Sequence, residues 1–177
     1  MSTPLPDPAS FARSTRVLAA TLMGGLVVVG VVLAVVLPAP VWGGEALVVL
    51  AVQVVAGVAA HLVLETIGYR TPALSTDLTD ADAAARARTR WQSSMILRFA
   101  ISESIAIVSI AAAFVLADGS ILTYLGGAAV SLALMLVHVW PSARPVGKVA
   151  EALEADGRRS GLRESFGLSS SGAIQRL

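Results

Sequence analysis

Ionisable side chains inside long apolar segments are the residues of this sequence that could do chemistry. There are five of them: His61, Glu65, Arg98, Glu103 and His138. Because a charge in hydrocarbon is costly, such residues in membrane segments usually mark a proton or ion pathway, or they pair with one another. The chemistry that these residue types allow is proton transfer, ion binding or ion pairing.

The depths of these residues sort them into two pairs. At about 1.5 Å of helical rise per residue, Glu65 and Arg98 each lie about 4.5 Å from the same end of their segments, and we predict that they form an intramembrane ion pair. His61 and Glu103 each lie about 10–12 Å from that end, and we treat them as a candidate proton or ion site in which His61 acts as a relay. His138 lies toward the same end of its own segment.

Glu103 admits two interpretations. It is five residues from Arg98, a rotation of about 140° around a helix, so it faces an apolar surface away from Arg98. As a proton or cation site, Glu103 would alternate between its neutral and charged forms. As a structural group, it would stay protonated or pair with His61, and it would then fix how two helices pack.

Four apolar segments must position these side chains. With 55% hydrophobic and 14% charged residues, the chain departs from soluble domains in the direction of membrane proteins. A helix needs about 20 apolar residues to cross the hydrocarbon core, and in lipid every backbone polar group must pair within its own segment. We therefore predict an all-α integral membrane four-helix bundle. Its spans are residues 17–37, 46–67, 95–117 and 121–140.

Basic residues outside the spans occur on alternate connections only. They lie in residues 1–16, 68–94 and 141–177, whereas residues 38–45 and 118–120 contain none. The positive-inside rule then predicts that both termini and the long middle connection are cytoplasmic. The two short turns predict two antiparallel helix hairpins. Arginine greatly outnumbers lysine, a compositional hint of a high-GC bacterial genome, so the expected location is a bacterial plasma (inner) membrane with multiple spans.

The cytoplasmic segments have simple expected structures. Residues 1–16 contain prolines and no apolar period, which predicts a flexible arm. In the middle connection, Thr79 and Asp82 form a helix-start box, and the helix is expected to run on into the third span. The tail, 141–177, contains a short amphipathic helix that could lie on the membrane or dock on the middle connection. The last dozen residues are expected to be disordered.

Small and polar residues repeat at helical spacing along three spans, and this pattern predicts the inner seams of the bundle. On the first span, Gly24, Gly25 and Gly30 are interpreted as packing positions. The three seams are Gln53, Gly57, His61 and Glu65; Arg98, Ser102, Ile105 and Ser109; and Tyr124, Gly127, Ala128, Ser131 and His138.

Residues 102–107, Ser-Glu-Ser-Ile-Ala-Ile, resemble the carboxylate-bearing helix of rotary ATPase proteolipid (c-type) subunits. In that family a Glu or Asp among small and aliphatic residues carries the transported ion. The sequence Arg70-Thr71-Pro72 is similar to the Arg-x-Pro polar loop of the family, and four spans match its duplicated form. The resemblance implies that Glu103 carries an ion. The helix of closely spaced glycines found in the family is missing here.

Catalytic motifs are absent from the sequence. It contains no cysteine, no P-loop, no HExxH, no Rossmann glycine pattern and no GxSxG. The two histidines are interpreted as isolated, without a supporting carboxylate on the same face, and are therefore too few for a metal site. We therefore expect no enzymatic activity, cofactor, metal or nucleic acid. The leading hypothesis is an accessory or structural subunit that packs in the bilayer against itself or a larger complex. The alternatives are a proton- or ion-handling subunit that uses Glu103, and a dimer similar to the small multidrug transporters, whose carboxylate lies in the first helix.

Overall fold

The computed structural model describes residues 8–40 and 42–168. Within this part of the chain there are six helices and no strand, which confirms the all-α class. The helices are α1 (Pro8–Val36), α2 (Gly44–Ile67), α3 (Asp80–Val115), α4 (Ile121–His138), α5 (Ala143–Leu153) and α6 (Leu162–Ser165).

Four of these helices, α1 to α4, are long and apolar enough to cross a membrane. Local sequence explains their ends. α1 ends before Pro38, which cannot donate a backbone hydrogen bond. At the start of α3, the Asp82 amide donates to Thr79 Oγ1 at 3.2 Å, and Thr79 Oγ1 donates to Asp82 Oδ2 at 2.7 Å. The predicted helix-start box is therefore present, and α3 runs on without a break through the third predicted span.

The chain divides into two compact units. The first, which we call the bundle unit, combines Ala19–Gly68 and Met95–Trp140. The second, the tail unit, combines Met1–Leu18, Tyr69–Ser94 and Pro141–Leu177, of which residues 8–18, 69–94 and 141–168 are described. The bundle unit contains the ionisable residues identified from the sequence.

The bundle unit is apolar on the outside and partly polar inside. Valines of α1 and α2 are widely exposed, with Val35 of α1 at 85% and Val55 of α2 at 69%. Such faces suit an apolar solvent, as expected of membrane-spanning helices. A Cβ on Gly24 or Gly25 of α1 would have no neighbour within 4 Å among the described residues, so the predicted packing role is wrong for them within a single chain. Gly30 does pack, because a Cβ there would lie 3.1 Å from the Tyr124 ring.

The tail unit contains more order than the sequence analysis predicted. α1 already begins at Pro8, so the flexible arm predicted for residues 1–16 is wrong for residues 8–16; residues 1–7 lie outside the described part. The physical reason is aromatic packing. Phe11 is buried, and its ring lies edge-on to Phe166 with centroids 5.6 Å apart.

The amphipathic helix α5 docks on the middle connection of the tail unit. Its apolar stripe is fully buried, the Leu74 amide donates to the Leu153 carbonyl at 2.8 Å, and the Lys148 ammonium lies 4.9 Å from the centre of the Tyr69 ring. The stripe consists of Val146, Val149, Ala150 and Leu153. Of the two placements predicted for this helix, the structure has the protein-bound one.

Two further expectations concern the end of the chain and Trp91. Disorder was expected in the last dozen residues; of these, 169–177 lie outside the described part, whereas Phe166 is buried. Trp91 lies close to the start of the third span in the sequence, a position that predicts a membrane-interface residue. This prediction is wrong, because Trp91 is fully buried in the tail unit, with its ring 5.1 Å from that of Phe166.

Candidate functional site

The inner seams of the bundle unit are buried as the helical spacing predicted. Gln53 and Gly57 are buried on α2, and His61 and Glu65 are half-buried. On α3, the residues Arg98, Ser102, Ile105 and Ser109 are all buried; on α4, so are Tyr124, Gly127, Ala128, Ser131 and His138. Polar and small side chains therefore meet where α2, α3 and α4 pack.

Two histidines from different helices touch in this interior. His61 Nδ1 on α2 lies 2.9 Å from His138 Nε2 on α4. The other nitrogen of His138, Nδ1, lies 3.8 Å from Glu65 Oε1, within ion-pair range but longer than a hydrogen bond. His138 is fully buried, and the Glu65 side chain is 25% exposed. The three side chains form a continuous sequence of contacts, His61 to His138 to Glu65, which we call the His–His–Glu chain.

The local structure explains how the His–His–Glu chain assembles. His61 and Glu65 are four residues apart on α2, one helical turn, so they share a face. His138 is the last residue of α4, and its ring lies between them in the order of contacts. Sequence reasoning had placed His138 at the right end of the bundle without giving it a role. The seven-residue spacing of Tyr124, Ser131 and His138 was the available signal.

With both rings neutral, the contacts favour one tautomer. A carboxylate only accepts hydrogen bonds, so the His138 nitrogen that faces Glu65 should carry a proton. His138 Nε2 is then an acceptor, and His61 Nδ1 is the donor across the 2.9 Å contact. The opposite tautomer would direct the lone pair of His138 Nδ1 at the carboxylate, which is unfavourable. Among the described residues, His61 Nε2 has no hydrogen-bond partner, so it is the open end of the chain.

The same three residues could hold a metal ion, since one ligand atom from each lies within 4.8 Å of the others. The view of the histidines as isolated, without a supporting carboxylate, is therefore wrong. Two histidines and a carboxylate are a ligand set that zinc accepts. However, His61 and Glu65 face opposite nitrogens of the His138 imidazole, and one ion cannot bind both nitrogens of one ring. These contacts are those of one hydrogen bond and one ion-pair contact in sequence rather than of a metal cage.

Arg98 is fully buried at the same end of the bundle. Its Nη1 donates to the Gly68 carbonyl at 3.4 Å, and a Cβ at Gly68 would lie 3.1 Å from Arg98 Cγ. Gly68 follows α2 and lies three residues after Glu65, so the guanidinium is in the region of the carboxylate. The Arg98–Glu65 ion pair stays a prediction.

Glu103 does not belong to the His–His–Glu chain. It is half-buried on α3, and it makes no hydrogen bond or ion pair with the described residues. The ring that contacts His61 is that of His138, so the pairing of His61 with Glu103 stays a prediction.

A second group of polar contacts lies elsewhere in the bundle unit. Gln53 Nε2 donates to Ser109 Oγ at 2.9 Å and to the Thr123 carbonyl at 2.7 Å, which joins α2, α3 and α4. We call these three residues the glutamine cluster. Gly127 allows the close approach, because a Cβ there would overlap with the Ser109 hydroxyl.

Comparisons with known proteins return no match. No protein-family model, no curated protein and no solved structure matches this chain.

Proposed function

We propose that this is a proton-handling integral membrane protein in which the His–His–Glu chain is a proton relay. The observation that carries the proposal is the pair of contacts made by His138, 2.9 Å to His61 and 3.8 Å to Glu65. Histidine is the side chain whose charge ordinarily changes between pH 5 and 8. Chains of His, Glu and Asp inside membrane segments are typical of proton pathways.

The relay would move one proton by two transfers. A proton binds at His61 Nε2, and the proton on His61 Nδ1 passes to His138 Nε2. The proton on His138 Nδ1 then passes to the Glu65 carboxylate, so one proton has entered at His61 and one is held at Glu65. Both rings are now in the opposite tautomer, and rotation of the rings, after Glu65 has released its proton, resets them. The second transfer requires the 3.8 Å contact to shorten, which a rotation of the Glu65 side chain could supply.

The proposal includes the topology expected from the sequence: two antiparallel hairpins in the plasma membrane, with both termini cytoplasmic. It is supported by the restriction of basic residues to alternate connections. It is also supported by the segments that make up the tail unit, because they are the three segments that this topology puts on one side of the membrane. Glu65 and His138 lie near the ends of α2 and α4 that would face the cytoplasm, so the relay would exchange protons with that side.

Proton flux into liposomes that contain the purified full-length chain tests the proposal. With a potassium diffusion potential and a pH-sensitive dye inside, we expect flux above that of protein-free liposomes. His138→Gln and Glu65→Gln should each lower it about tenfold. Thr66→Val is the matched control, because Thr66 is adjacent to Glu65 but its hydroxyl donates only to carbonyls of its own helix.

Glu103→Gln separates this proposal from the interpretation based on the proteolipid resemblance. If the His–His–Glu chain carries the proton, Glu103→Gln should keep the flux; if Glu103 is the ion site, the flux should be lost. Unchanged flux in His138→Gln, in protein that elutes as a single peak on size exclusion, would contradict the relay.

The second candidate is the leading hypothesis from the sequence, an accessory or structural subunit. It is favoured by Gly24 and Gly25 of α1, which are open to a neighbouring helix because no described residue lies within 4 Å of where a Cβ would stand on them. Small residues of this kind let membrane helices approach closely. Purification in a mild detergent should then recover a stoichiometric partner or a homo-oligomer. Recovery of a monomer alone would count against this candidate.

A further inference from the structure

The relay and the glutamine cluster lie on the same face of α2. Gln53 and His61 are eight residues apart, about 12 Å along the helix axis. Gln53 also lines a cleft between α2 and α4 together with Trp42, Leu50 and Gly126. The glutamine cluster therefore reaches the surface of the bundle unit at the end away from the relay. A proton that crosses the bundle has to cover the distance between these two polar groups.

An apolar layer lies between the two polar groups and continues past His61. Ile105, one helical turn from Ser109, and Val130 belong to a cluster that extends to Leu64, three residues beyond His61. The other members of the cluster are Leu134, Ala60 and Ile101. None of these side chains can donate or accept a proton. Without water in this layer, a proton cannot pass between the relay and the glutamine cluster.

Val130 packs against Gly57 in this layer. A Cβ placed on Gly57 would lie 2.5 Å from Val130 Cγ1, closer than real side chains approach. Val130 of α4 therefore occupies the notch left by the missing side chain of Gly57 on α2. Gly57 is one turn from His61, between His61 and Gln53. Valine is β-branched and has little rotamer freedom in a helix, so its side chain stays in the notch in one rotamer.

A buried hydroxyl lies next to Val130. Ser131 is adjacent to Val130 in α4 and is fully buried, and its Oγ accepts from the Ala106 amide at 3.0 Å. A buried water needs two or more polar partners. Ser131 and the open Nε2 of His61 are groups on which water could form hydrogen bonds if Val130 moved.

We propose that Val130, seated in the Gly57 notch, is the barrier of the proton path, and that protons pass between the glutamine cluster and His61 only when this contact opens. The inference rests on the relay function proposed above and assigns the step that limits it. Val130 is not part of the relay; it acts by excluding water from the end of the relay.

Shortening Val130 should raise proton flux. In the liposome assay, Val130→Ala should increase proton flux about tenfold over the unmodified chain, without an increase in potassium or sodium permeability. Val137→Ala is the matched control, because Val137 is on the same helix and 39% exposed, and it should leave the flux unchanged. Val130→Thr provides a second variant of nearly equal volume, in which a hydroxyl replaces a methyl group; it should also raise the flux.

The double variant Val130→Ala/His138→Gln separates the barrier from the relay. We expect its flux to fall to the level of His138→Gln alone. If Val130→Ala and Val130→Thr both leave a His138-dependent flux unchanged, the barrier is wrong and the relay stands. If the raised flux persists without His138, or extends to potassium, the substitution has only loosened the bundle and the barrier is again overturned. A flux that never depends on His138 would instead overturn the relay itself.

Discussion

His61 Nδ1 and His138 Nε2 lie 2.9 Å apart although the two residues are 77 positions apart in the chain. The contact joins α2 to α4 inside the bundle unit and places a single proton between two imidazoles. The hydrogen bond therefore ties the orientation of one ring to that of the other. Glu65 contacts the opposite nitrogen of His138, and its carboxylate favours the tautomers in which His61 Nδ1 and His138 Nδ1 carry the protons.

Gly127→Ala should destabilise the bundle unit. The new methyl group would overlap with the Ser109 hydroxyl and lie 3.2 Å from the Ile105 carbonyl, and backbone cannot yield as a flexible side chain can. We expect a loss of about 1–3 kcal/mol in the free energy of unfolding. An unfolding titration from mild detergent into dodecyl sulfate measures it. Gly24→Ala is the matched control, since its new methyl group would meet nothing within 4 Å in the part of the chain that the structure describes. Equal losses in both variants would contradict the packing argument.

Phe166→Ala should open the aromatic cluster of the tail unit. Phe166 contacts the rings of Trp91 and Phe11, and truncation of a buried phenylalanine typically costs about 3–5 kcal/mol. In a background with Trp42→Phe and Trp140→Phe, the emission of Trp91 should shift to longer wavelength as water reaches the indole.

The control for this substitution is Arg159→Ala, because the Arg159 side chain is 77% exposed and pairs only with Glu164 in the described structure. Its emission should match that of the background. A Trp91 spectrum that Phe166→Ala leaves unchanged would show that Phe166 does not shield the indole.

Single cysteines should label from opposite faces of intact vesicles. The chain contains no native cysteine, so Gly43→Cys and Thr89→Cys each introduce a unique thiol at an exposed position. Under the proposed topology, an impermeant maleimide reaches Gly43→Cys from the periplasmic side and Thr89→Cys from the cytoplasmic side only. Labelling of both from the same face would contradict the four-span topology.

Ser75→Ala should raise the pKa of Asp77. The Ser75 hydroxyl donates to Asp77 Oδ1, and this hydrogen bond to the charged form holds the pKa of the Asp77 carboxyl below its usual value, with backbone hydrogen bonding as the next cause. The stabilisation due to this lowered pKa is present above the ordinary value and is lost as the pH falls through the folded-state value. Carboxyl ¹³C shifts of Asp77 against pH measure the change. An identical titration curve in Ser75→Ala would contradict the assignment.

Much of the bundle followed from sequence periodicity. A span needs only enough consecutive apolar residues, and a seam such as Gln53 and Gly57 repeats on one helix face, so both are local properties. The helix start at Thr79 and Asp82 was predictable for the same reason. The tail unit was not, because the order of residues 8–16 depends on Phe11 meeting Phe166, and their separation in the chain leaves no periodic signal.

The candidate site illustrates the same limit. Depth in the membrane alone pairs His61 with Glu103 and gives His138 no role, because depth does not say which helix faces which. Rotation of each helix about its axis is decided by packing, here by notches such as Gly57 and Gly127 that admit Val130 and Ser109.

The sequence by itself determined that this chain has four helices suited to lipid and that its ionisable residues lie toward one end of them. Those properties depend on residue type and spacing along single helices. Only the tertiary structure decided that His138 lies between His61 and Glu65 in the order of contacts, and that Val130 packs against Gly57, one turn from His61. Both depend on the mutual rotation of α2 and α4, which is determined by close packing between residues distant in the chain.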